Sequence, residues 1–172
     1  MTETATSSDT GVGTQSITPV LTFREGTEEA INLYVSLLPN SRVVNIVRSQ
    51  GGLIPAGQVM SATFELNGRS YNAFDGGATF AFSEGFSLMV TCVTQEEIDR
   101  LWTGLTEGGG EPGRCGWLKD RFGLSWQIIP ADLGEMLSNP AGGNTQRAGE
   151  AMMKMNKLDI AALRAAYNSG SE

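Results

Sequence analysis

The sequence predicts an α+β fold: two βαβββ modules paired in one domain, followed by a C-terminal helical extension. Strand-like and helix-like periodicities recur in the same order, the second series about 70 residues after the first. Asn67-Gly68 joins two strand-like runs, which is a strong hairpin signal. Beyond residue 130 the pattern turns helical and stays so. The paired domain is expected over 17–138, with modules at about 17–76 and 86–130, and the extension over 139–172.

Residues 1–16 are rich in Thr, Ser and Gly, and a disordered tail is expected there. Strand character begins at 17–23, with Pro19 near the start, where an edge strand tolerates a missing N–H. Ala30, Leu33, Tyr34, Leu37 and Leu38 recur at helical spacing, so 27–38 reads as a helix, with Glu28 and Glu29 in its first turn. Strands are expected at 42–48, 58–66 and 69–74, then a Gly-rich loop at 75–85. The order restarts with a strand at 86–93 and a helix at 95–106 carrying Ile98, Leu101, Trp102 and Leu105 on one face. Gly108-Gly109-Gly110 stops that helix, and strands follow at 113–118 and 124–130. The tail shows a short turn at 133–137, a loop at 139–144 and two helical stripes. Four of the seven methionines lie in this tail, where core or dimer packing is the expected use.

With 172 residues, 40% of them hydrophobic, the chain can form one core. Its net charge is −7 and its basic residues are scattered, so a phosphate-binding footprint is missing and nucleic acid is not an expected partner. No apolar run is long enough to span a membrane and no secretory signal is visible, so cytoplasmic residence is expected. The two cysteines, Cys92 and Cys115, make no disulfide framework, and Cys92 sits in an apolar run that suits a core thiol. Histidine is absent, which removes the commonest general base and the commonest transition-metal ligand.

The stretch Cys115-Gly116-Trp117-Leu118-Lys119-Asp120-Arg121-Phe122-Gly123-Leu124-Ser125-Trp126-Gln127-Ile128-Ile129-Pro130 carries a resemblance. With residues 17–21, residues 30–34 and Met152-Met153-Lys154-Met155, it resembles the PhnB-like branch of the glyoxalase/bleomycin-resistance (vicinal oxygen chelate) superfamily. That branch is often labelled 3-demethylubiquinone 3-methyltransferase. A doubly wound methyltransferase would need a parallel sheet with a Gly-rich loop after its first strand, and Thr22-Phe23-Arg24-Glu25-Gly26 is no such loop. The resemblance implies a cleft between two curled modules, metal ligands on the first and last strand of each, and a homodimer. Carried over by position, those places hold Pro19, Ser87, a residue near Asp75, and Gln127. This departs from a His/Glu set, so no metal and no cofactor is expected.

Alternation along strands predicts the cleft lining. Gln127 would face in with Ser125 and Ile129; Ser87 with Met89 and Thr91; Pro19 with Leu21 and Phe23. Trp117 is open to either a core or a stacking role, whereas Trp126 reads as core. The candidate ligand-binding residues are therefore Leu21, Phe23, Asp75, Met89, Trp117 and Gln127, with no catalytic residue assigned. The expected function is binding of a small apolar or aromatic molecule. The alternatives are a metal-free or weakly metal-dependent enzyme of unknown substrate, or a face filled by its own side chains or by a partner subunit.

Overall fold

The structure, a computed structural model, describes residues 17–170. The tail expected at 1–16 lies outside the described residues, as do 171–172. The first module comprises β1 (Val20–Phe23), α1 (Thr27–Leu37), β2 (Arg42–Arg48), β3 (Val59–Leu66) and β4 (Arg69–Asp75). The second comprises β5 (Ser87–Cys92), α2 (Gln95–Thr106), β6 (Glu111–Pro112), β7 (Trp117–Lys119) and β8 (Ser125–Pro130). Each builds a four-stranded sheet with the same topology, β1-β4-β3-β2 and β5-β8-β7-β6. The first and last strands of each module pair in parallel, and the other pairs are antiparallel.

The strand expected at 113–118 is in fact two strands and a reversal. Cys115 (φ 56°) and Gly116 (φ 85°) adopt left-handed conformations, and Trp117 N–H donates to the Arg114 carbonyl. The chain turns back there, β6 pairs with β7, and the second module gains its fourth strand. Gly116 is also needed for space, since a Cβ there would come within 2.7 Å of the Ile128 carbonyl oxygen.

α1 packs on the first sheet and α2 on the second, and the two helices touch. Gly104 permits that contact, because a Cβ there would sit 2.6 Å from Leu37. The main core therefore lies on the helix side of both sheets, with Phe23, Tyr34 and Phe64 from one module and Leu101, Leu105, Trp126 and Ile128 from the other. Asp120 ties the halves together from the β7–β8 turn. One carboxyl oxygen accepts from Phe122 N–H (2.9 Å) and Leu124 N–H (3.0 Å). The other accepts from the Trp126 indole (2.8 Å) and from the Tyr34 hydroxyl on α1 (2.6 Å). Burial, then the neighbouring Asp120, pushes the Tyr34 pKa well above its ordinary value, so the phenol remains a donor.

The extension supplies α3 (Leu133–Ser138), α4 (Thr145–Met152) and α5 (Ile160–Asn168), packed around a second cluster that includes Met136, Leu158, Leu163 and Tyr167. Gln95 of α2 pins it by accepting from Ile160 N–H (2.9 Å) and donating to the Leu158 carbonyl (3.1 Å). Among the described residues no helix is long and apolar enough to cross a membrane.

Candidate functional site

The last rung of each parallel ladder aligns the two modules. Gly76 N–H donates to the Phe23 carbonyl (2.7 Å) and Ala131 N–H to the Cys92 carbonyl (2.8 Å). Counting back from these rungs sets Val20 against Met89, Asn72 against Gln127 and Asp75 against Pro130. The helix-side residues Leu21, Phe23 and Cys92 are buried, so Val20, Thr22, Met89 and Thr91 occupy the opposite, open faces.

On the open face of the second sheet, three of the expected site residues meet. Met89 pairs with Gln127, and Gln127 pairs with Trp117, in one row across β5, β8 and β7. Met89 is 60% and Trp117 39% exposed, and the Gln127 amide donates to Ser87 Oγ (2.9 Å). The next row holds Ser87, Ser125 and Lys119. Lys119 pairs with Glu84 at 3.0 Å, and that hydrogen bond raises its pKa. Toward the other end of the face, Ile129 packs against the cluster of the extension. Beside it Cys115 Sγ lies 3.7 Å from Met153 Sδ, and the Arg114 guanidinium engages the Met153 carbonyl. The face combines Met89, Trp117 and Ile129 with an amide, three hydroxyls and one ion pair as polar points.

The other three expected residues are elsewhere. Leu21 (1% exposed) and Phe23 (0%) face the helix, and Phe23 packs edge-on against Phe82 and Phe122. Their parity is shifted because the pairing register carries Val20 and Thr22, not their neighbours, to the open side. Asp75 also points away from that face. Its two oxygens accept from Thr27 N–H (3.0 Å) and Val59 N–H (3.1 Å), so it caps α1 from a distance and joins β3. The true counterpart of Gln127 is Asn72, whose amide oxygen accepts from Thr63 Oγ1 at 3.0 Å. Only the doubled ladder reveals this, since one sequence offers no register across separate strands.

The equivalent positions on first and last strands are thus Val20, Asn72, Met89 and Gln127. Two amides, a thioether and a valine do not fit a zinc, iron or nickel centre, which takes imidazole, thiolate or carboxylate. Among the described residues no three of His, Cys, Asp and Glu converge. Cys92 is buried on the helix side, and burial pushes its thiol up to about 11.

The sequence model of the family described as 3-demethylubiquinone-9 3-methyltransferase matches residues 15–129. This chain belongs to that family. The PhnB protein from Bacillus cereus is 38% identical, covering 68% of this chain and 100% of its own, with a TM-score of 0.63. Protein PA1353 from Pseudomonas aeruginosa is 22% identical, covering 67% of this chain and 97% of its own, at 0.56. A glyoxalase/bleomycin resistance protein from Albidiferax ferrireducens T118 is 13% identical, covering 66% and 97%, at 0.44. A search of curated proteins found none similar to the chain. The two four-stranded sheets of one topology agree with the paired βαβββ fold expected from the sequence. Within the described residues the sheets of this family member are not the parallel, doubly wound kind that the words methyl transfer would suggest.

Proposed function

We propose that this chain is a cytoplasmic protein that binds a small, flat, largely apolar molecule on the open face of the second sheet without chemistry and without a metal. The observation that carries the reading is the single row Met89–Gln127–Trp117, which offers an aromatic surface and a polarizable thioether on either side of one amide. The amide fixes orientation, and the Ser87 hydroxyl holds the amide. The pairing of apolar area with few polar points is the usual make-up of a ligand site.

A homodimer completes the site in this reading. Val20 and Val47 leave apolar area open on the first sheet, as Met89 and Trp117 do on the second. Apposing the first sheet of one copy to the second sheet of another covers both and excludes water from the row.

Thermal-shift screening tests the function. Metals, then metabolites and antibiotics, are added to the purified protein. Stabilisation by a compound recovered unchanged supports binding, and Trp117→Ala together with Gln127→Ala should each abolish the shift. Conversion of the stabilising compound to product would replace the reading with an enzyme. Absence of any shift across aromatic and apolar compounds would remove it.

A further inference from the structure

A groove of about 590 Å³ lies between the modules along the free edge of β5. Its walls are the buried Leu66 and Leu101 and the half-buried Leu88 and Val90. β5 is the outer strand of its sheet. The Cys92 carbonyl is turned toward β8 by its bond from Ala131 N–H, so alternation turns the Met89 and Thr91 backbone groups into the groove.

The groove reverses the charge of the chain. Overall 19 acidic residues oppose 12 basic ones, yet here Arg69 and Arg100 face one acid, Glu97. That acid is engaged, since it accepts from Val93 N–H (2.7 Å) and Thr94 N–H (3.2 Å) to cap α2. Arg100 donates to the Leu37 carbonyl at the end of α1. Among the described residues Arg69 makes no hydrogen bond and no ion pair with another side chain, and Tyr71, two residues along β4, lines the same groove. A planar guanidinium is matched by a carboxylate that it can hold through two parallel bonds.

We propose that this groove binds an aliphatic carboxylate, with the acid group on Arg69 and Tyr71 and the tail along Leu66, Leu88, Val90 and Leu101. The groove shares Ser87 and Met89 of β5 with the Gln127 row but takes its acid-binding groups from β4, and it does not depend on the function proposed for that row. The apolar walls exclude a small hydrophilic anion, which would gain nothing there, and a cation would meet two guanidiniums. A neutral chain of the same length would bury the same tail and leave Arg69 without its partner.

Octanoate and octanamide distinguish these cases. Each is titrated into the full-length protein near neutral pH and followed by calorimetry and by backbone amide NMR. Octanoate should move the amides of Arg69, Met89, Thr91 and Leu101, and octanamide should bind about tenfold more weakly, the scale of one charge-assisted contact. Arg69→Met, at an exposed position with no partner to lose, should keep the folded spectrum and bring octanoate down to the octanamide level. Equal affinity for the two compounds, binding unchanged in Arg69→Met, or shifts confined to Trp117 and Gln127 would each overturn the proposal. No binding of octanoate at millimolar concentration would overturn it as well, as would an octanoate effect that only splits a dimer without one molecule bound per groove.

Discussion

Asp120 shows how much one side chain can hold. Its carboxyl group takes four donors, two from its own turn, one from β8 and one from α1 of the other module. Asp120→Asn puts an NH2 against at least one of those donors and leaves a buried polar atom unmatched. We expect a loss of about 3 kcal/mol in the denaturant-unfolding free energy, the scale for breaking a buried charged network. A change below about 1 kcal/mol would mean that the turn re-forms its bonds with water. The two cysteines give a second expectation at this scale. Cys92 is buried with its pKa pushed up to about 11, whereas Cys115 is partly exposed. A thiol reagent at pH 8 should therefore label one site per folded chain and two after unfolding. Fast labelling of both thiols in the folded protein would contradict the burial of Cys92. In the candidate site, the shared facing of Met89 with Ser87 and of Gln127 with Ser125 is legible because alternation within β5 and within β8 needs no partner strand, whereas Trp117, on β7, is open between core and stacking in the sequence. Leu21 and Phe23 face the helix and not the cleft, because β1, a strand of only four residues, carries Val20 on its open side and Pro19 is no inward reference. Asp75 is ambiguous in sequence because a carboxylate near the end of the fourth strand fits a ligand and a helix cap equally well; in the structure it accepts from Thr27 N–H.

Elements whose limits are set by local chemistry were the most legible. The expected helix at 95–106 matches α2, which begins with a full capping box: Thr94 Oγ1 accepts from Glu97 N–H, and Glu97 accepts from Thr94 N–H. The hairpin at Asn67-Gly68 likewise follows from residues that tolerate positive φ, observed at 47° and 75°. The β6–β7 reversal was not legible, because it places a cysteine in the left-handed region, where sequence gives no warning. The capping box also carries a pH dependence. Backbone donors at Val93 and Thr94 hold the Glu97 carboxyl below its ordinary value of 4.5. A carboxyl with a lowered folded pKa stabilises fully above the unfolded value, and that contribution is lost as pH falls through the folded one. The denaturation midpoint of the natural chain should thus fall more steeply below about pH 4.5 than that of Glu97→Gln. Parallel pH profiles for the two proteins would show that the cap contributes nothing through charge.

At the scale of the molecule, two sheets with one topology, joined through their helices, leave two open faces that a single copy does not cover. Light scattering at micromolar concentration should give twice the chain mass of 18.3 kDa; a monomer would leave the Gln127 row exposed to water and remove the dimer reading. Elemental analysis of protein prepared without a chelating column should find no zinc, iron or nickel at one equivalent per chain. One bound equivalent, lost in Gln127→Ala, would restore a metal mechanism. The matched ladders have a further consequence. A chain made of two like halves could in principle present two like binding surfaces, and duplication alone would give every dimer four. The extension prevents that here. Among the described residues its hydrogen bonds fasten it to the second half, through Gln95 and through the bonds from Cys115 and Gly116 N–H to the Met155 and Asn156 carbonyls. It leans on Ile129, in the second sheet. On the proposed function, one half would be the floor for the ligand and the other would be free to cover a neighbouring copy. The proposed function would then place one ligand per chain on the Gln127 row, and a dimer would carry two identical such sites, each built from unlike surfaces.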